Sequence, residues 1–301
     1  MSVPDRGHRG TIFVETAEVL DHQHLAAAQH LIRLRAPETA RRARPGQFVH
    51  LECDPLLRMR RPFSIMRADP RAGWIDLLYK AVGSGTELLA QRAAGETLSL
   101  LGPIGVPFAL DPARPRPLLI GGGVGIPPMV FVAEALLTDA RAPWRPFVVM
   151  GSEVPFPFTP RPSQFMVAGV GGGATACMPL LEDWRIPSRL ASRQGYPGCF
   201  DGLVTDLARA WLAALDEPAR SEVEVLACGP TRMLAAVAAL AAEHGLPCQV
   251  SLEEHMACAV GGCAGCAVEV RLPDGRSTKR AMKRVCVDGP VFDARQVFPA
   301  D

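Results

Sequence analysis

Neither sign of charge predominates in this chain of 301 residues, where 32 Lys and Arg stand against 31 Asp and Glu for a net charge of +1. The basic surplus selected by phosphate backbones and anionic lipid surfaces is missing, so neither a nucleic-acid nor an anionic-membrane partner is expected. Also missing is any run of the roughly 18 apolar residues that a membrane-spanning helix requires. The greasiest stretch, Leu118 to Leu137, carries five glycines or prolines in its first half and Glu134 in its second. The opening Met-Ser-Val-Pro-Asp-Arg-Gly-His-Arg-Gly has no apolar h-region, so no signal peptide is expected and a cytoplasmic address is predicted. In that compartment the nine cysteines are expected to be thiols or metal ligands rather than disulfides. No eight-fold alternation of strands and helices occurs, which leaves no room for a barrel of about 250 residues. No side chain stands out as a general base. Six of the seven histidines fall at apparent surface or link positions, and His255 reads as a capping or packing residue.

What is present is ordinary in bulk and specific in detail. With 48% hydrophobic and 21% charged residues, the composition is that of a globular protein with room for two or three domains. The specific feature is Cys258-Ala-Val-Gly-Gly-Cys263-Ala-Gly-Cys266, with Cys286 following after nineteen intervening residues. This C-x4-C-x2-C…C spacing is the one plant-type ferredoxins use to hold a [2Fe–2S] cluster. Only Ala, Val and Gly separate the first three cysteines, which lets the backbone wrap an inorganic core and aim its N–H groups at the sulfurs. Structural zinc sites usually pair their cysteines as C-x2-C twice, and a single such pair exists here.

Along the chain, the first hundred residues read as short strands. These are Thr11–Leu20 and His30–Arg35, joined by a polar link Asp21-His-Gln-His24, then Gln47–Cys53, Trp74–Lys80 and Glu96–Leu101. Many short β segments between turns predict a small antiparallel barrel. Arg60-Arg61-Pro62-Phe63-Ser64-Ile65 places a guanidinium, a rigid proline and a hydroxyl together at a strand edge. Leu78-Tyr79-Lys80 leads through Gly83-Ser-Gly85-Thr86 into a helical pattern, Glu87–Arg92. Glycines entering a helix start form an anion site, so Arg61 and the Gly85-Thr86 turn together suggest a bound diphosphate.

Five prolines between Pro103 and Pro117 mark a boundary. After it, Leu118–Ile120 is a buried strand, Gly121-Gly122-Gly123-Val-Gly125 a tight turn, and Ile126–Leu137 a helix with its prolines near the first turn. Strand, glycine turn and helix open a doubly wound nucleotide fold, although Pro127 stands near the place of the usual third glycine. Arg145–Met150 reads as the next strand. Pro155–Gly202 is hard to read, with Gly171–Gly173 taken as a turn. Leu203–Ala214 is an amphipathic helix, and Glu222–Cys228 a strand ending at Gly229-Pro230. Thr231 is expected to cap a helix over Met233–His244 that stops at Gly245, and Gln249–Leu252 is a strand leading into the cysteines.

Taken in order, these motifs resemble the ferredoxin-reductase-type flavoproteins, and among them the electron-transfer subunits of class 1B dihydroorotate dehydrogenases. The resemblance rests on Arg61-Pro-Phe-Ser64, Leu78-Tyr-Lys80 with Gly85-Thr86, Leu101-Gly-Pro-Ile-Gly105, Gly121–Pro127, Cys228-Gly-Pro230 and Val285-Cys286-Val-Asp-Gly-Pro-Val-Phe292. It implies an FAD-binding β-barrel over 1–112, an NAD-binding α/β domain over 113–248 and a [2Fe–2S] domain over 249–301. It further implies Arg61, Pro62, Phe63 and Ser64 at the FAD diphosphate and flavin, and Leu78, Tyr79 and Lys80 along the ring and ribityl chain. Gly85 and Thr86 would lie on the phosphates. Gly121, Gly122, Gly123 and Gly125, with Cys228, Gly229 and Pro230, would face NAD(H), and Cys258, Cys263, Cys266 and Cys286 would ligate the cluster. Relatives often carry Arg where this chain has Lys80, which keeps the charge without the planar fork.

The division of labour follows from the cofactors: NADH exchanges a hydride, a [2Fe–2S] cluster one electron, and a flavin both. No residue is then needed as a catalytic base, and a separate FMN-containing catalytic subunit is expected as the partner in a hetero-oligomer. A subunit of the same build serving ferredoxin, a hydrogenase or another oxidoreductase fits the same motifs, and a zinc-stabilised binding module is the alternative of another class. Glu153 suits a ribose 2′-OH and Arg161 a 2′-phosphate; the resemblance favours NAD.

Overall fold

The structure is a computed structural model that describes residues 10, 12–57, 59–274 and 277–299. Thr11, named above as the start of the first expected strand, lies outside the described residues.

The N-terminal half closes into a six-stranded barrel. Its elements are β1 (Phe13–Leu25), β2 (Gln29–Arg35), α1 (Pro37–Arg42), β3 (Phe48–Leu51), β4 (Arg61–Asp69), β5 (Trp74–Lys80), α2 (Ser84–Leu89) and β6 (Thr97–Ile104). The strands join in the order β1-β2-β5-β4-β3-β6, every pair antiparallel. Period-two alternation puts Ile32, Leu34, Ile65, Ile75, Leu77 and Leu100 inside, all fully buried. Two expectations are corrected here. Asp21–His24 is not a link but the end of β1, paired through His22↔Ile32 and His24↔His30, with a register shift between Val19 and Asp21. The helix expected over Glu87–Arg92 is α2, which starts at Ser84 and ends at Leu89.

The second half is a parallel sheet with helices around it. It comprises β7 (Arg116–Gly122), α3 (Ile126–Leu136), β8 (Phe147–Gly151), a small β9–β10 pair (Arg161–Pro162 and Ala176–Cys177), α4 (Pro179–Asp183), β11 (Ser188–Ser192), β12 (Phe200–Asp201), α5 (Val204–Ala213), α6 (Glu217–Ser221), β13 (Val223–Cys228), α7 (Thr231–Glu243) and β14 (Cys248–Ser251). The strand order is β12-β11-β8-β7-β13-β14, with β17 (Val291–Asp293) outside β14. From β7 the chain winds outward on one side through β8 and β11, then returns beside β7 with β13 and β14. This is the doubly wound order, with its crevice at the carboxyl ends of β7 and β13.

The segment that was hard to read contributes a core strand. All five residues of β11 are buried despite the composition Ser-Arg-Leu-Ala-Ser. The Arg189 guanidinium is carried inside by donating to the carbonyls of Ser188 (2.7 Å) and Phe165 (2.5 Å). Gly171–Gly173 is a turn closed by the Ala174 amide on the Gly171 carbonyl. Thr231 does not cap α7; it is the first residue of that helix, and Pro230 occupies the cap without a side-chain bond.

The tail consists of the cysteine loop, a hairpin β15–β16 (Ala267–Asp274 and Ser277–Arg284), α8 (Val285–Asp288), β17 and α9 (Ala294–Val297). Two compact units result: 1–107 with 253–291, and 108–252 with 292–301. No helix among the described residues is long and apolar enough to cross a membrane.

Candidate functional site: a cysteine loop, a barrel edge and a nucleotide crevice

The four motif cysteines are brought together by two elements far apart in register. Cys258, Cys263 and Cys266 lie on the loop before β15, and Cys286 sits in α8. Cys266 and Cys286 are buried with their sulfurs 3.4 Å apart. The Cys263 amide donates to Cys258 Sγ, and the Gly265 amide to Cys263 Sγ, both at 3.4 Å. Ala259 (φ 55°) and Ala264 (φ 56°) are in the left-handed region, which turns successive N–H groups inward as in an anion-binding nest. Burial alone would raise the Cys258 thiol, but amide donors from Cys263, Val260 and Gly262 hold it down at about 6. Burial and the Cys266 thiol push Cys286 up to about 12.

This arrangement stabilises sulfur as anion on one side and shields it on the other, which suits thiolate ligation of iron. Cys263, Ala264 and Gly265 are exposed, so the loop faces outward. Among the described residues no three His, Cys, Asp or Glu side chains converge closely enough for a single-ion site.

On the barrel, Arg61 and the start of α2 do meet. A Cβ on Gly85 would stand 3.0 Å from Arg61 Nε, so the glycine lets the guanidinium lie close over the first turn of α2. Arg61 is steadied by donating to the carbonyls of Met59 (2.8 Å) and Arg60 (3.2 Å). Thr86 Oγ1 accepts from the amides of Val82 and Gly83 and donates to the Gly83 carbonyl, which shapes the turn. Pro62 and Ser64 are half-buried on β4, and Lys80 is half-buried at the end of β5. Phe63, Leu78 and Tyr79 are buried, with the Phe63 ring edge-on to Tyr79 at 5.5 Å.

The histidines depart from expectation. His30 is buried and stacks on Tyr79 at 5.0 Å, while His22 contacts the Tyr79 hydroxyl at 2.9 Å and the Arg92 carbonyl at 2.8 Å. His50, on β3 opposite Pro62, is 1% exposed. His255 is exposed. Composition offers no signal for these placements, since polar strand residues look the same whether they face water or one another.

Burial, with Arg60 and Arg61 nearby, lowers His50 to about 4. Its folded value lies below the ordinary 6.5, so the unfolded chain takes up a proton first as pH falls. The stability due to neutral His50 is therefore complete above about pH 6.5 and is lost toward pH 4. Between pH 7 and 5 the wild type should lose about 2 kcal/mol more than His50→Gln in urea unfolding. Equal losses would show that His50 is not held neutral.

In the sheet, the glycine turn packs against Cys228-Gly229-Pro230. A Cβ on Gly125 would lie 2.2 Å from the Cys228 carbonyl oxygen, and one on Gly122 would lie 2.4 Å from Met233 Sδ. Gly229 has φ +155°, and a Cβ there would lie 2.6 Å from Met233 Cε. Gly121, Gly122, Gly123, Gly125, Cys228, Gly229 and Pro230 thus share the crevice at the ends of β7 and β13, with Cys228 fully buried. Glu153, past β8, accepts from Gln194 at 3.0 Å. Arg161 is engaged by Asp183 and the Pro179 carbonyl.

A closed antiparallel barrel followed by a doubly wound sheet is the build of the ferredoxin-reductase-type oxidoreductases. The structure of an NADH-dependent reduced ferredoxin-NADP oxidoreductase, from work on flavin-based electron bifurcation, is similar with a TM-score of 0.71 and 26% identity, covering 93% of this chain and 89% of that one. A ferredoxin reductase of carbazole 1,9a-dioxygenase shares the fold (TM-score 0.59, 24% identity, 78% and 67% of the two chains). Residues 253–298 match the iron–sulfur cluster binding domain of dihydroorotate dehydrogenase B.

Nearly the whole chain is similar to "Dihydroorotate dehydrogenase B (NAD(+)), electron transfer subunit" from two bacteria. The identity is 32% to that of Desulforamulus reducens (93% of this chain, 97% of that protein) and 35% to that of Bacillus caldolyticus (90% and 96%). The chain belongs to the family of dihydroorotate dehydrogenase B electron transfer subunits.

Proposed function

We infer that this chain carries electrons between NAD(H) and a partner flavoenzyme through FAD and a [2Fe–2S] cluster, and that the partner is the catalytic, FMN-containing subunit of a dihydroorotate dehydrogenase in pyrimidine biosynthesis. The observation that carries this reading is the cysteine loop, its amides turned onto sulfur, on a chain whose other residues build the reductase fold. Bound flavin supplies the conversion between two-electron and one-electron transfer, which neither nicotinamide nor cluster performs alone.

The residues of this chain bind and orient. Arg61 and the Gly85-Thr86 turn hold the FAD diphosphate, and Pro62, Phe63, Ser64, Leu78, Tyr79 and Lys80 form the bed for the ring and ribityl chain. The Gly121–Gly125 turn and Cys228-Gly229-Pro230 receive the nicotinamide nucleotide. Cys258, Cys263, Cys266 and Cys286 ligate the cluster. By cofactor the chain divides into 1–112, 113–248 and 249–301, and it works in the cytoplasm. Hydride transfer needs no protein base, and none is assigned.

Iron, acid-labile sulfide and released FAD test the reading directly. About two irons, two sulfides and one FAD per chain are expected, and a colourless protein holding zinc would contradict it. The purified chain alone should not oxidise dihydroorotate. Because the Arg161 guanidinium is already paired with Asp183, NADH should reduce the flavin at least about tenfold faster than NADPH. Equal rates would reverse that assignment.

A further inference from the structure

Arg284 lies at the junction between β16 and α8, two residues before Cys286. Its side chain, although partly exposed, reaches back to the cysteine loop. Nη1 donates to the Gly261 carbonyl at 2.8 Å, across the loop from its own backbone position. Its amide donates to Asp288 Oδ2 at 2.9 Å, and its Nε lies 4.0 Å from the same carboxylate. The guanidinium is thereby held at both ends of the ligand set, with Lys283 Nζ 3.9 Å from Asp288 as a second cation.

The carbonyl it grips belongs to the peptide joining Gly261 to Gly262. The next amide along the loop, that of Cys263, donates to Cys258 Sγ at 3.4 Å. A guanidinium on the Gly261 carbonyl fixes the peptide just before this donor with a charge-assisted bond and brings a positive charge to the loop. The fit at Gly261 is close: φ is +86°, and a Cβ would stand 2.5 Å from Val287 Cγ2 and 3.3 Å from Arg284 Nη1. A side chain at 261 would therefore push the loop off both α8 and the arginine.

We propose that Arg284 is a positioning residue for the iron–sulfur centre, which clamps the Cys258–Cys266 loop to the Cys286 helix and so holds the Cys263 amide on Cys258 Sγ with a fixed positive charge beside the ligand sulfurs. Donors and fixed cations near the sulfurs favour the more negative, reduced centre, so Arg284 raises its midpoint potential. This rests on the cluster assignment made above.

The test uses the full chain with FAD and cluster assembled, comparing wild type with Arg284→Gln and Arg284→Lys. The readouts are iron content and the cluster midpoint, followed by the EPR signal of the reduced centre. Arg284→Gln should keep its iron and favour the oxidised state about tenfold more than wild type, which for a one-electron couple is a midpoint about 59 mV lower. Arg284→Lys, with charge but no fork, should fall between. A midpoint in Arg284→Gln indistinguishable from wild type, with iron retained, overturns the proposal. If Arg284→Gln loses its iron, Arg284→Lys decides: a lowered midpoint supports the proposal and an unchanged one overturns it. Absence of iron from the wild type would instead sink the cluster assignment itself.

Discussion

Cys286→Ala should yield a protein that is yellow rather than brown, with its FAD in place and its cluster absent or crippled. The effect is large because three cysteines cannot close a four-thiolate site, and because Cys286 is buried with its sulfur 3.4 Å from that of the equally buried Cys266. The change removes only one sulfur atom from α8, and the barrel motifs assigned above to FAD lie on other elements. Iron analysis and flavin absorbance on one sample separate the two cofactors. Retention of full iron by Cys286→Ala would show that Cys286 is not a ligand.

Gly125→Ala should leave FAD and iron untouched while cutting the rate of flavin reduction by NADH about a hundredfold, the cost expected when a reactant is misplaced by about 1 Å. The added methyl would have to occupy a point 2.2 Å from the Cys228 carbonyl oxygen and 2.5 Å from the Gly229 amide. Both atoms are backbone, so neither can swing aside as a side chain would. The turn after β7 and the turn after β13 must separate, and together they form the crevice. Stopped-flow reduction by NADH, with dithionite as a control that bypasses the nucleotide, measures the effect. A normal NADH rate in Gly125→Ala would place the nucleotide elsewhere.

The sequence shows the barrel readily because period-two alternation and glycine turns are local signals. It shows the first strand, turn and helix of the sheet for the same reason. It fails at β11, whose Ser-Arg-Leu-Ala-Ser is buried between β8 and β12, with carbonyls accepting from the two terminal nitrogens of Arg189. It fails again at Asp21–His24, where an acid, an amide and two imidazoles extend a strand because β2 supplies the hydrogen bonds. The motifs themselves are legible, being short and contiguous. What joins them is not: the Gly125–Cys228 approach and the Arg284–Gly261 clamp connect residues 103 and 23 positions apart, and no local pattern encodes either.

The most direct test of the electron path is anaerobic addition of NADH to the protein carrying both cofactors, followed at about 450 nm and by EPR. Bleaching of the flavin band together with the signal of a reduced [2Fe–2S] centre in the same sample is the expected result. Bleaching with the cluster left oxidised and EPR-silent, even with excess NADH, would contradict the account.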